Sequence, residues 1–206
     1  MRSRTWNTVI LCAASGILCG LMTAAQCGQA ESGCQVAPVQ SLFSDPVPLG
    51  IWLNWVNWLP GVVFGLLFAI ATVQPAWQAD GRRRIALYAA CAGVIYLIAG
   101  IVFFLILSVA RDDQFAAIIW VWPAGLLAGL AGAILLELAG GRVLRGPSTP
   151  GGRPRRAWLP PVVGALAGVI FVWICIYGEQ SVMLAWPVAF VVWQVPVGLA
   201  LRRNLD

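Results

Sequence analysis

Two polar side chains lie within otherwise apolar runs of this sequence. Gln194 lies between Trp193 and Val195, and Glu137 lies near the end of its run, five positions before Arg142. An ionisable group inside a membrane segment is a candidate proton or substrate site, because burying it there is costly. The competing interpretation of Glu137 is an ion pair with Arg142 at the membrane interface. For Gln194 the competing interpretation, which we favour, is a packing role with a hydrogen bond to a neighbouring helix.

No histidine occurs among the 206 residues. A Ser-His-Asp triad, a Cys-His pair and a histidine-ligated metal or haem site therefore cannot be built from these residues. Asp112 and Asp113 are adjacent and follow Arg111 in a short predicted loop, where a solvated turn explains them better than a cation site. We therefore predict no catalytic residue, no metal site and no cofactor, and we expect that the protein is not an enzyme.

The six cysteines fall into two groups by position. Cys27 and Cys34 lie at and beyond the end of the first apolar run, and we predict a disulfide between them if that side faces an oxidising compartment. The others lie inside apolar runs and act as small hydrophobic residues. No C-x-x-C spacing is present, which argues against a zinc or thioredoxin-like site.

The composition is that of a membrane protein: 60% of the residues are hydrophobic, 10% are charged, and the mean hydropathy is +0.84. Soluble domains carry about 25% charged residues. Six apolar stretches each approach the roughly 20 residues that cross a bilayer, and such segments must be helical because hydrocarbon offers the backbone no hydrogen-bond partner. We predict one all-α polytopic domain over residues 1–206, and three antiparallel hairpins are one arrangement that its helices allow. The predicted helices cover about 6–27, 52–73, 85–110, 115–138, 158–177 and 182–201.

The basic residues, all arginine, predict the orientation of the chain. If there are six crossings, only Arg111 falls on one side and the other twelve arginines fall on the opposite side. Under the positive-inside rule the twelve face the cytoplasm, together with both termini, in an inner (cell) membrane. The arginines form short clusters between apolar runs, so we expect the partner of the chain to be the lipid bilayer and not nucleic acid.

Two loops are long. The outer loop, about residues 28–51, is polar and proline-containing, whereas the inner loop, about 140–157, is rich in Gly, Pro and Arg. The inner loop is predicted to be a flexible linker that its arginines hold against anionic lipid headgroups. The other interpretation, which we favour, is that these arginines only determine topology.

The first apolar run also has features of a signal peptide. Arg2 and Arg4 precede it, and the small residues Thr23, Ala24 and Ala25 near its end are typical of a cleavage site. Because the apolar run is long for a signal peptide, we expect a retained helix.

A spacing of 64 residues separates Trp58 from Trp122 and Trp122 from Trp186, and a proline follows each within two positions. The spacing allows three related hairpins, each placing Trp and Pro near the outer start of an even-numbered helix, but this is not the interpretation that we favour. The alternative is that any helix entering from outside favours Trp and Pro, and Trp158, followed by Leu and Pro on the inner side, weakens the repeat.

Pairs of glycines four positions apart predict close helix contacts. They are Gly16 and Gly20, Gly61 and Gly65, Gly125 and Gly129, and Gly164 and Gly168.

These observations favour a non-enzymatic membrane protein. We expect an accessory, structural or inhibitory (immunity-type) subunit that packs its helices against another membrane protein or a second copy of itself. The alternative is a small transporter or channel with an intramembrane polar site at Glu137 and Gln194.

Overall fold

The structure is a computed structural model that describes residues 2–29, 58–73, 79–108, 114–144, 158–177 and 182–205. Every regular element in these ranges is an α-helix, which confirms the predicted all-α membrane fold. The six helices are α1 (Arg2–Gln29), α2 (Leu59–Thr72), α3 (Ala79–Ser108), α4 (Gln114–Val143), α5 (Leu159–Tyr177) and α6 (Val182–Leu205).

Four of the helices contain segments that are long and apolar enough to cross a membrane. The segments are Thr5–Ala24, Asp80–Phe103, Ile119–Val143 and Leu184–Leu205. The apolar parts of α2 and α5 are shorter; the 14 residues of α2 span about 21 Å against a hydrocarbon core of about 30 Å. Residues 52–57, the predicted start of the second crossing, lie outside the described residues, and six crossings stay a prediction.

Several helices extend beyond their apolar runs. α3 begins at Ala79 and not near residue 85, so Arg82, Arg83 and Arg84 lie in its first turns. α4 ends at Val143 and α6 at Leu205, both later than predicted. Charge favours the extensions of α4 and α6, because arginines in the last turn complement the helix macrodipole. At the start of α3 only Asp80 does so, and the three arginines that follow oppose it. Of the predicted inner linker, residues 145–157 lie outside the described residues.

The helices form a closed ring. Each helix packs against its neighbours in sequence, and α6 closes the ring against α1. Helix α6 also contacts α4 and α2, so it lies closest to the middle. The ring buries one face of every helix and leaves the opposite face, which is apolar, exposed.

Glycines bring α4 and α5 into backbone contact. A Cβ atom added to Gly129 would overlap the carbonyl oxygen of Gly164, and one added to Gly168 would overlap the carbonyl oxygen of Gly125. Each glycine therefore meets the backbone of the opposite helix with no room for a side chain. The predicted close approach at these two pairs is confirmed.

The other two glycine pairs make equivalent contacts. A Cβ added to Gly65 would lie 2.9 Å from the Cα of Ala89 in α3, and one added to Gly16 would lie 2.7 Å from the Cα of Val191 in α6. The close contacts thus join α2 to α3, α4 to α5, and α6 to α1. They lie between the predicted hairpins and not within them.

The tryptophan–proline pairs occupy different places in their helices. Trp58 is the N-cap of α2, with a proline in the first turn. Trp122 lies more than two turns after the start of α4, and Trp186 lies about one turn inside α6. Only the first pair therefore marks a helix start. A proline inside a membrane helix is tolerated, because neighbouring groups satisfy the carbonyl that it leaves unpaired.

Candidate functional site: the aromatic centre and the arginine end

A series of aromatic rings in contact runs through the core and its partly buried edge. Neighbouring ring centroids are 5.2–6.1 Å apart along the whole series, within the range of favourable aromatic contact. We call this series the aromatic column; its members, in order of contact, are Tyr88, Phe68, Phe64, Trp193, Tyr96, Phe190 and Phe171, and Trp186 packs on the last two.

Helical spacing aligns the rings within each helix. Phe64 and Phe68 are four positions apart on α2, while Trp186, Phe190 and Trp193 follow a four-then-three spacing on α6. Residues three and four apart share a helix face. The column is not among the features predicted from the sequence, although this spacing of aromatic residues was the available signal.

A row of small polar side chains lies between α1 and α6. Thr8, Ser15 and Cys19 are buried on one face of α1, and the Cys19 thiol donates a weak hydrogen bond of 3.5 Å to the carbonyl oxygen of Pro60. Gln194 of α6 lies beside Cys19 and is 0% exposed. Within the described residues, neither the nitrogen nor the oxygen of its amide makes a hydrogen bond. Gln194 therefore faces a neighbouring helix, as expected. Its polar contact there is with the weakly hydrogen-bonding Cys19 thiol, and the amide makes no hydrogen bond of ordinary geometry to the described residues.

Glu137 lies near the carboxyl end of α4, beside the carboxyl end of α6. Its side chain is half-buried, and Asn204 Nδ2 donates a hydrogen bond of 2.8 Å to its Oε1 atom. Glu137 makes no ion pair with Arg142 in the part of the chain that the structure describes, and Arg142 is exposed. Asn204 is ten residues after Gln194, about 15 Å along α6. The two predicted polar-site residues are therefore not brought together.

Two arginines bind the carboxyl ends of neighbouring helices. Arg84 of α3 donates to the carbonyl oxygen of Val143, the last residue of α4, at 3.0 Å, and to that of Leu144, which follows it. Arg202 of α6 donates to the carbonyl oxygen of Ala71 at the end of α2. These carbonyls have no partner within their own helix, and a cation beside them also complements the macrodipole. The sequence pattern predicts orientation and lipid contact for the inner arginine clusters, and it does not predict these hydrogen bonds to helix ends.

These contacts bring the start of α3 and the ends of α2, α4 and α6 together. We call this region the arginine end; it holds Arg82, Arg83, Arg84, Arg142, Arg202 and Arg203. Asp80 and Arg84 form an ion pair there, with 3.6 Å between Oδ2 and Nη1.

A cavity of about 440 Å³ lies at the arginine end, among α3, α4, α5 and α6. Most of its wall is apolar, and Glu137, Arg142 and Asn204 supply the polar part. We call it the α4–α6 cavity; it is lined by Tyr88, Ile134, Leu136, Glu137, Leu138, Gly140, Gly141, Arg142, Pro161, Leu201, Asn204 and Leu205.

The other predicted site residues add no further centre. Cys12, Cys19 and Cys91 are free thiols. The Cys27 side chain and the whole of Cys34 lie outside the described residues, as do Asp112 and Asp113, so the predicted disulfide stays a prediction. Among the described residues, no group of His, Cys, Asp or Glu side chains is arranged to hold a metal ion.

Comparison of the chain with protein-family models, with curated proteins and with solved structures found no match.

Proposed function

We propose that the protein is a non-enzymatic subunit of a membrane assembly, accessory, structural or inhibitory (immunity-type), which acts by packing its helices against a membrane partner. The observation that carries this proposal is the aromatic column. A conducting protein needs a continuous path lined by polar groups or water. Aromatic rings in contact run through the described core, which supports a role for the outer surface of the bundle.

The arginine end supports the proposed orientation. Its six arginines lie at one end of the bundle, where the positive-inside rule would place the cytoplasm. We infer an inner-membrane protein whose six helices cross the bilayer and whose termini are both cytoplasmic. Arginines at this end would also attract anionic lipid headgroups.

A small transporter is the second candidate, because the buried row of Thr8, Ser15 and Gln194 gives α1 and α6 a polar contact surface. Such a carrier would have to separate α6 from α1 to expose this row. A flux measurement in proteoliposomes tests it. Flux that Glu137→Gln or Gln194→Leu abolishes, without loss of folded protein, would favour the carrier.

Photo-crosslinking in the native host tests the partner proposal. A photoreactive amino acid is placed at one exposed position on each of five helices, and the adducts are identified by mass spectrometry. The positions are Ile10 on α1, Leu87 on α3, Ile119 on α4, Leu166 on α5 and Leu184 on α6.

We expect one or two adjacent helices to crosslink to a single protein and the remaining positions to label only lipid. The positions that label only lipid are the internal controls, since they are exposed like the crosslinking positions and carry the same photoreactive group. Lipid adducts at all five positions would contradict a partner-binding role.

A further inference from the structure

The lining of the α4–α6 cavity runs from the apolar outer surface of α4 to the arginine end. Ile134 and Leu138, 38% and 53% exposed, line it from α4 and face outward, where the surface is apolar. One turn further along α4, Gly141 and the exposed Arg142 line the cavity at the arginine end. A molecule in the cavity would therefore have one part in hydrocarbon and another at headgroup depth. This is the environment of an amphiphile.

Unfilled space at Gly141 distinguishes the cavity from the packed interfaces. A Cβ atom added to Gly141 would meet no atom within 4 Å, whereas one added to Gly129 in the same helix would overlap the backbone of α5. Gly141 thus leaves room beside α4 that no neighbouring helix uses.

The polar groups of the cavity carry opposite charges. Asn204 donates to one oxygen of Glu137, and the second oxygen makes no hydrogen bond to any residue that the structure describes. Arg142 is five residues further along α4, about 7.5 Å along the helix axis, toward the membrane surface. A ligand that fits would present a hydrogen-bonding cation to Glu137 and an anion to Arg142.

We propose that the α4–α6 cavity binds a phospholipid whose headgroup carries a primary ammonium, such as phosphatidylethanolamine. The ammonium donates hydrogen bonds to the Glu137 carboxylate, and the phosphate pairs with the Arg142 guanidinium. An acyl chain lies along Ile134, Leu138 and Pro161. This site goes beyond the proposed function and requires only that the arginine end lies at headgroup depth.

Lipid selectivity tests the proposal. The full chain is purified in mild detergent, titrated with phosphatidylethanolamine, phosphatidylcholine or phosphatidylglycerol of identical acyl chains, and examined by native mass spectrometry. Phosphatidylcholine has no N–H to donate, and phosphatidylglycerol has no cation for Glu137. Loss of a charged hydrogen bond predicts about tenfold tighter binding of phosphatidylethanolamine than of the other two.

Glu137→Gln keeps the shape of the side chain and removes its charge. We expect this variant to bind phosphatidylethanolamine no better than phosphatidylcholine. The matched control is Asp80→Asn, which removes an exposed acid at the same end of the bundle and should keep the selectivity. Equal binding of all three lipids by the wild-type chain, or selectivity that survives Glu137→Gln, would overturn the proposal.

Filling the cavity gives a second test that does not depend on charge. Gly141→Leu places a side chain in the open space, and we expect it to reduce phosphatidylethanolamine binding at least as much as Glu137→Gln does. Gly100→Leu is its control, because Gly100 of α3 also has open space around its Cβ position but does not line the cavity. Unchanged binding by Gly141→Leu would place the lipid elsewhere and overturn the assignment, even if Glu137→Gln failed to fold.

Discussion

Arg202 donates a hydrogen bond of 2.7 Å to the carbonyl oxygen of Ala71, 131 positions earlier in the chain. The guanidinium is almost completely buried, with the residue only 6% exposed. Its partner is one of the last carbonyls of α2, which cannot find a hydrogen-bond donor within its own helix. The contact fixes the end of the last helix to the end of the second and helps to close the ring.

Arg202→Gln should therefore destabilise the fold. A hydrogen bond from a charged group contributes roughly 1.5–3 kcal/mol, and its loss leaves a buried carbonyl unpaired. We expect the free energy of unfolding in mixed SDS micelles to fall by about 2 kcal/mol. Arg203→Gln is the matched control, because Arg203 is exposed and should change stability by no more than about 0.5 kcal/mol. Equal effects of the two variants would show that the buried hydrogen bond has no stabilising role.

The contact between α4 and α5 gives a second prediction. Gly168→Ala adds one methyl group where the carbonyl oxygen of Gly125 already lies, so the two helices must move apart. We expect a loss of roughly 1–3 kcal/mol of unfolding free energy, as for other overpacked interfaces. Gly100→Ala, at an open position of α3, should be neutral or stabilising by up to about 1 kcal/mol. If Gly168→Ala is as stable as Gly100→Ala, the helices are not in backbone contact.

The helices and their glycine contacts could be predicted from the sequence. An apolar run of about 20 residues has to be helical in a bilayer, and glycines four positions apart lie on one face of a helix. What this pattern does not contain is the identity of the facing helix. The nearest neighbours of Gly61 and Gly65 belong to α3, because that choice depends on how all six helices pack together.

The aromatic column and the arginine contacts were less accessible to sequence reasoning. The ring of Phe64 contacts Trp193, 129 positions away, and such a pairing depends on the rotation of two helices. An arginine near a helix end satisfies the orientation rule whether it is exposed or, like Arg202, binds a carbonyl. The predicted polar site combines Glu137 and Gln194 only because both residues are polar. Residue type does not predict how far apart they lie along the bundle.

Gln194 provides a test of the packing role. Its amide is fully buried and makes no hydrogen bond to the described residues, a condition that costs about 1–3 kcal/mol. Gln194→Leu removes that cost with little change of volume, and we expect stability to rise by roughly 1 kcal/mol. Gln194→Glu, of the same shape, should destabilise strongly because it can introduce a buried charge.

The opposite result for Gln194→Leu would contradict the packing role. A loss of stability comparable to that of Gln194→Glu would mean that the amide holds a bound partner, such as an internal water or a transported molecule. The transporter would then gain support.

The cysteines separate into two predicted redox groups. We expect a disulfide between Cys27 and Cys34, so that the intact chain is two hydrogen atoms lighter before reduction than after it. Cys12 and Cys19 are buried and should resist alkylation in mild detergent until the protein is unfolded. Free thiols at both Cys27 and Cys34, found by mass spectrometry of non-reduced peptides, would rule out the disulfide.

The most direct test of the account is purification of the tagged full chain from membranes of its native host in mild detergent. Quantitative mass spectrometry and size-exclusion chromatography then measure what accompanies it and in what ratio. We expect one membrane protein that elutes with this chain in a fixed stoichiometric ratio. A discrete particle that contains this chain alone, and that supports solute flux in proteoliposomes, would contradict it and favour the transporter.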